Sequence, residues 1–408
     1  MKCGLLGERL GHSYSPQIHA CLGSYPYSLY EVAPENLADF LKNGDFSGLN
    51  VTIPYKKAVI PYCDSLSPRA QILGAVNTLV RTPEGTLLGH NTDYFGFEAM
   101  VLHSGLQPNG KKALVLGSGG ASSTAKAVLK EMGADVVVIS RKGENHYGNL
   151  HLHSDARIIV NTTPVGMYPD TLSAPLSLSH FPKLEGVLDC IYNPANPMLL
   201  QEAKDRGIIA ENGLLMLVAQ AAESSQWFTG KEVSLETIFD IYRKMKQQME
   251  NIVLIGMPGS GKTTVGMLLA KRTGKTFVDA DAAIEEKAKK SIPAIFAEDG
   301  EAAFRALETQ VLQELGKRSG IVLSTGGGCV TREENKALLR QNGTIFCLHR
   351  DLNQLETQGR PLSQSTDLTE MYRVRKPLYE HFARHHIDNN HTPETAVEAI
   401  LTIWEANT

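Results

Sequence analysis

Apolar residues in this chain come in short continuous runs separated by stretches of helical period. From Lys112 onward the order is "ALVLG", "ASSTAKAVLKEMG", "DVVVIS", "RIIVNTT", "GVLDCIY" and "GIIAEN". Short β-branched runs alternating with helical segments predict strands buried on both faces, hence a parallel sheet with helices on either side. The same alternation restarts at "NIVLIG" and continues through "GKTFVDADA", "GIVLSTGGG" and "GTIFCLHR", which predicts a second α/β sheet. Between them, Leu235, Ile238, Phe239, Tyr242, Met245 and Met249 recur at helical spacing behind Ser234, a candidate cap. The junction is therefore expected to be a helix that joins the two halves stiffly, since no Gly/Ser or Pro-rich tether intervenes.

At 408 residues the chain is long enough for two or three cores. Forty basic and forty-four acidic side chains leave a formal charge of -4, which excludes a general attraction to nucleic acid or anionic membrane. Anion recognition must then be local. No apolar run approaches the ~18 residues that span a bilayer, and "MKCGLLGERLGHSYSPQIHA" lacks a signal-peptide core, so a cytoplasmic location is expected. The six cysteines lie far apart, with no CxxC pair and no Cys/His cluster at metal-ligand spacing; reduced thiols are expected.

Two glycine turns carry the candidate chemistry. "GSGGAS" (117–122) follows a strand and opens a helix, the setting in which glycines let a backbone approach a pyrophosphate at a helix N-terminus. Gly117, Ser118, Gly119, Gly120 and Ala121 form the turn. The next strand ends at Ser140, Arg141 and Lys142, where a carboxylate would select NAD; a serine and two cations select the 2′-phosphate of NADPH. "GMPGSGKT" (256–263) fits the P-loop pattern, with Gly256, Gly259, Ser260, Gly261, Lys262, Thr263 and Thr264 around the phosphates of ATP. Lys262 would reach the β and γ phosphates and Thr263 would ligate Mg2+. "FVDADAAIEE" places Asp279 and Asp281 two apart at a strand end, one for metal and one for the acceptor hydroxyl. Arg305, Arg360 and Arg375 imply an acidic, hydroxylated acceptor, because arginine binds carboxylate and phosphate bidentately.

The blocks "HSYSP", "NVTIPYK", "GAVNT", "GHNTDYFG", "NTTPVGM", "YNP" and "NGLLMLVAQAA" resemble shikimate dehydrogenase from about Leu5 to Phe228. The resemblance implies that Ser13 and Ser15 hold the substrate carboxylate, and that Thr52, Asn77, Asp93, Tyr192 and Gln220 meet the rest of the substrate. It makes Lys56 and Asp93 the catalytic pair, and adds Asn161, Thr162 and Gly213 to the cofactor site. Departures stand at Ala20, Pro197 and Leu215. From about Asn251 to Trp404 the chain resembles shikimate kinase. That likeness implies Asp281 as hydroxyl ligand and base, Arg305 and Arg375 as carboxylate clamps, Gly326, Gly327 and Gly328 at the ring, Arg360 as the lid arginine, and Asp279 beside Thr263 at magnesium. His391 and a lid with a single arginine depart from that family's pattern.

The expectation is an α/β protein with a substrate-binding domain over 1–93 plus about 225–249, a Rossmann NADP domain over 94–224 and a P-loop kinase domain over 250–408. It would turn 3-dehydroshikimate into shikimate with NADPH and phosphorylate shikimate with MgATP. A quinate-using dehydrogenase joined to another small-acid kinase, and a non-catalytic sensor of the acid, are the alternatives.

Overall fold

The computed structural model describes residues 1–11, 13–355 and 368–406. The chain divides into two compact units. The first comprises Met1–Met167, Ser173–Tyr192 and Glu202–Met245; the second comprises Lys246–Thr408 with the segments Tyr168–Leu172 and Asn193–Gln201.

The first unit holds two sheets. β1 (Cys3–Gly7), β2 (Tyr27–Glu31), β3 (Gly48–Val51), β4 (Ser65–Leu66), β5 (Thr78–Arg81) and β6 (Leu87–His90) form a mixed sheet in the order β2-β1-β3-β5-β6-β4. β3 is buried throughout, whereas the edge strand β2 is largely open, as an edge allows. β7 (Lys112–Leu116), β8 (Asp135–Ile139), β9 (Ile158–Asn161), β10 (Gly186–Asp189) and β11 (Ile209–Asn212) form an all-parallel sheet in the order β11-β10-β9-β7-β8. The chain reverses direction across this sheet after β7, so the first glycine turn lies at the topological switch point, where doubly wound sheets bind ligands. The helix Asp93–Ser104 packs Phe97 and Met100 into the core of this sheet. Its first residue is thereby presented to the mixed sheet.

The second unit carries β12 (Asn251–Ile255), β13 (Thr276–Asp279), β14 (Ile321–Ser324), β15 (Gly343–His349) and β16 (His385–Asp388), all parallel, in the order β13-β14-β12-β15-β16. Strand period two sorts its side chains cleanly. Val253, Ile255, Ile345 and Cys347 enter one core, and Ile252, Leu254, Phe346 and Leu348 enter the other. Both faces are covered, which is why these strands read as unbroken apolar runs. The P-loop follows β12, again at the switch point.

The doubly wound sheets expected from the alternation are present. The junction expected to be helical is the helix Leu235–Met249, with Ser234 Oγ accepting from Thr237 N at 3.1 Å. All six cysteines are free thiols. No helix among the described residues is long and apolar enough to cross a membrane.

Two candidate active sites

In the first unit, Lys56 Nζ lies 2.6 Å from Asp93 Oδ2. Asp93 opens its helix, and Asn77, on the turn entering β5, donates Nδ2 to Asp93 Oδ1 at 2.9 Å. The carboxylate is thus held on one oxygen by an amide and on the other by an ammonium. Lys56 keeps 29% of its side chain exposed against 13% for Asp93, so the pair is partly open to solvent and not sealed in the core. Ser15 N donates to Ser13 Oγ at 3.2 Å, which places both serines at the start of the helix Ser15–Leu22. Thr52 follows β3, and the Tyr55 N to Thr52 O bond turns the chain toward Lys56. Gln220, on the helix Leu214–Thr229, comes within 3.5 Å of Thr92 Oγ1 and donates to Leu217 O. Tyr192 meets the Tyr14 ring edge-on at 6.1 Å.

Behind these groups lies a buried hydroxyl and amide network that sequence motifs missed. Ser224 Oγ sits 2.7 Å from Asn50 Nδ2, 2.9 Å from Thr78 Oγ1 and 3.1 Å from Thr92 Oγ1. Ser224 stands four residues after Gln220 on one helix face, and that spacing is the only signal the sequence offers. Fully satisfied buried networks of this kind lock the side chains in front of them.

The first glycine turn is open. Gly117 has φ 109°, and a Cβ there would meet Thr162 Oγ1 at 2.8 Å, so glycine is required by the protein itself. At Gly119 and Gly120 a Cβ would meet nothing within 4 Å. No atom of the described residues demands glycine at those two positions, and the free space fits a pyrophosphate at the start of the helix Gly120–Glu131. Ser118 is exposed beside them, with Ala121 in the first turn. Ser140 Oγ donates to Lys142 O at 2.6 Å and shapes the turn after β8, leaving Arg141 and Lys142 exposed. Asn161 is wholly buried, giving Nδ2 to Asp189 Oδ1 at 3.1 Å and taking bonds from Thr163. Its side chain shapes the loop, as does Thr162 Oγ1 on Leu116 O. Burial pushes the partner Asp189 carboxyl up to about 7. A Cβ on Gly213 would strike Cys190 O at 2.2 Å, so that glycine serves close packing.

The second unit has a cleft lined by the P-loop, Asp279, Asp281, Arg305, Arg375 and Gly326–Gly328. Lys262 Nζ is buried and donates to Gly256 O and Met257 O, both at 3.0 Å. Gly261 has φ 89°, and its Cβ would lie 2.6 Å from Asn389 Nδ2. Asn389 in turn donates to Ser260 O at 2.7 Å. Ser260 Oγ is buried and has no hydrogen-bond partner among the described residues. Such an orphan in a ring of backbone N–H groups fits a loop shaped for phosphate oxygens. Thr263 Oγ1 lies 3.1 Å from Asp279 Oδ2, and Asp279 Oδ1 caps the helix Ala280–Ala288 through Asp281 N at 3.0 Å. Hard oxygen donors at that spacing suit magnesium. Thr264 lines the same cleft.

The three glycines of "STGGG" are a ledge pressed by functional groups. A Cβ on Gly326 would come 2.7 Å from Asp281 Oδ1 and 2.8 Å from Glu308 Oε1, and one on Gly328 would come 2.2 Å from Arg305 Nη2. Arg375 Nη1 and Tyr379 Oη both donate to Gly327 O, at 3.2 and 2.5 Å. Glu308 was not singled out by sequence, yet its Oε2 takes a 2.8 Å bond from Arg305 Nη1 and the residue is fully buried. Burial pushes its carboxyl up, Arg305 pulls it down, and Asp281 adds to the upward shift. Its place three residues after Arg305 on the helix Gly300–Gly316 is the signal that could have found it. Arg360 lies outside the described residues.

The geometry accords with what the chain is similar to. Residues 258–405 match the family model described as shikimate kinase, and residues 5–79 match that of the shikimate dehydrogenase substrate binding domain. The chain is 35% identical over 265 residues to shikimate dehydrogenase (NADP(+)) of Clostridium perfringens, covering 60% of this chain and 97% of that protein. Among solved structures, a chorismate mutase/shikimate 5-dehydrogenase fusion protein from Clostridium acetobutylicum is 35% identical with a TM-score of 0.57, over 60% of this chain and 97% of that one. Shikimate 5-dehydrogenase from Thermus thermophilus, solved with NADP(H) and shikimate, is 32% identical with a TM-score of 0.55, over 60% of this chain and 99% of its own.

Proposed function

Because the chain belongs to the shikimate dehydrogenase family over 60% of its length and carries a shikimate kinase domain behind that part, we propose that it performs two consecutive reactions on one acid. The first unit reduces 3-dehydroshikimate to shikimate with NADPH; the second phosphorylates the shikimate 3-hydroxyl with ATP. When bound, NADPH supplies the hydride and MgATP the phosphoryl group.

The chain's own groups do the rest. Ser13 and Ser15 hold the substrate carboxylate, and Thr52, Asn77, Tyr192 and Gln220 position the ring. Lys56 Nζ, 2.6 Å from Asp93, delivers a proton to the oxygen of the ring ketone as alkoxide develops there. Asp93 keeps the ammonium aimed. Arg141 and Lys142 recognise the 2′-phosphate, while the open positions at Gly119 and Gly120 admit the pyrophosphate. In the second unit Arg305 and Arg375 clamp the carboxylate over the glycine ledge, and Asp281 takes the proton of the 3-hydroxyl. Lys262 neutralises charge on the transferring group, with Thr263 and Asp279 at magnesium and Arg360 closing over the phosphates.

One observation carries this reading: each unit has its own glycine turn at the switch point of a parallel sheet, and in the second unit that turn lines one cleft with Asp281, Arg305 and Arg375. The test supplies 3-dehydroshikimate, NADPH and MgATP to the full chain and identifies products. Shikimate 3-phosphate with one NADP+ per turnover is expected. Shikimate accumulating without phosphorylation, or no ketone reduction, would sink the pairing.

A further inference from the structure

The spacing of cysteines along the chain predicts no Cys/His cluster, yet the second sheet builds one. Cys347 and His349 are two apart on β15, so both point to the same face. On the neighbouring edge strand β16, His386 is paired with Cys347 in parallel register and so projects to that face as well. The Cys347 thiol and one ring nitrogen from each histidine lie within 4.8 Å of one another. His349 Nε2 and His386 Nδ1 approach to 2.8 Å, with ring centroids 5.0 Å apart.

We propose that Cys347, His349 and His386 form a site for one borderline-soft divalent cation of the zinc class, separate from the magnesium position at Thr263 and Asp279. One thiolate and two imidazoles are the donor set zinc prefers over magnesium or calcium. A tetrahedral ion with bonds of about 2.0–2.3 Å needs donor atoms roughly 3.3–3.6 Å apart, so donors already within 4.8 Å of one another need shifts of only about an ångström. The imidazoles separate slightly and give up the hydrogen they share. Burial is graded from Cys347, which is buried, through His349 to the exposed His386, so the ion enters from the solvent side and the thiol closes the floor. On binding, the thiol proton passes to solvent and the ion takes its place. Charges of both signs act on these groups, Lys262 and Glu380 on the Cys347 thiol and His386, Glu380, Lys376 and Asp388 on the His349 ring, so the donor set and not a net charge selects the ion. The fourth position is left to water.

The site also has a defined neighbourhood. Asn389, which follows β16, donates its backbone N to His349 O at 2.8 Å and its side chain to Ser260 O at 2.7 Å. An ion bridging β15 and β16 therefore clips the edge strand that steadies the P-loop backbone.

The experiment uses the reduced, chelator-treated full chain without nucleotide. It is titrated with Zn2+ against a chromophoric chelator and, separately, with Co2+ while the thiolate-to-metal absorption is followed. One equivalent of Zn2+, a Co2+ charge-transfer band, and a rise in the unfolding midpoint with Zn2+ are expected. Cys347→Ser should remove the band. His349→Ala and His386→Ala should each weaken binding at least tenfold, whereas Cys21→Ser, at an exposed thiol, should leave it intact. Should Cys347→Ser fail to fold, His386→Ala decides by the same titration, because its side chain is exposed. Absence of stoichiometric binding, or binding undiminished in both histidine variants, overturns the site.

Discussion

The two glycine turns follow the same local grammar, yet their surroundings are opposite. The turn after β7 is empty around Gly119 and Gly120, where a Cβ touches nothing within 4 Å. The turn after β12 is crowded: Gly261 lies against Asn389, Ser260 is held by it, and Lys262 is folded onto the loop's own carbonyls. An open turn suits a cofactor that must only be held, since the reacting ring lies far from its phosphates. A braced loop suits a phosphate that is itself the reacting group, where displaced backbone dipoles would forfeit transition-state stabilisation.

The largest test of that contrast removes the charge from each site. Lys262→Ala should lower shikimate phosphorylation by about a thousandfold while sparing ketone reduction. Lys56→Ala should do the reverse, with a loss of about a hundredfold or more. Loss of both activities in a folded single variant would break the assignment.

Glycine replacement sharpens it further. Gly261→Ala forces a Cβ into the left-handed region against Asn389, so it should cost about 1–3 kcal/mol of stability in the second unit and most of the kinase activity. Gly120→Ala, at the first helical position of an open turn, should leave the nucleotide-free protein unchanged or up to about 1 kcal/mol more stable. Its effect should be a KM for NADPH raised by about tenfold. Denaturation curves and steady-state kinetics on the two variants decide whether the turns differ in the way the structure states.

Cofactor choice follows. Arg141→Ala should reduce the preference for NADPH over NADH by about ten- to a hundredfold, the equivalent of ~1.5–3 kcal/mol for a charged hydrogen bond. Equal loss with both cofactors would place Arg141 away from the 2′-phosphate.

The smallest effect is one of pH. Burial raises the Asp189 carboxyl to about 7 in the folded first unit, against 3.8 for the ordinary group. Between those values the folded state binds the extra proton, so stability falls as pH rises through that window and the penalty is complete above it. Asp189→Asn should flatten this slope in urea titrations between pH 4 and 7. A slope as steep as in the parent chain would show that the carboxyl ionises normally.

Much of this was legible beforehand where the signal is local. Strand runs, glycine turns, the Ser234 cap and the P-loop lysine are set by residues a few positions apart. The pairing of Lys56 with Asp93 was available only through resemblance, since thirty-odd residues separate them and no period links them. Ser224, Glu308 and Asn389 escaped notice for another reason. Serine, glutamate and asparagine are ordinary surface residues, and only burial against a named partner turns them into supports.

The sequence by itself determined the alternation of the two parallel sheets, the helical junction and the phosphate turns, because apolar period and backbone freedom are properties of neighbouring residues. Tertiary structure alone decided which turn is braced and which is open, and that His386 joins Cys347 and His349 on one sheet face. Those facts depend on strand order and register, which bring residues tens of positions apart within a few ångströms, and no local pattern encodes such distances.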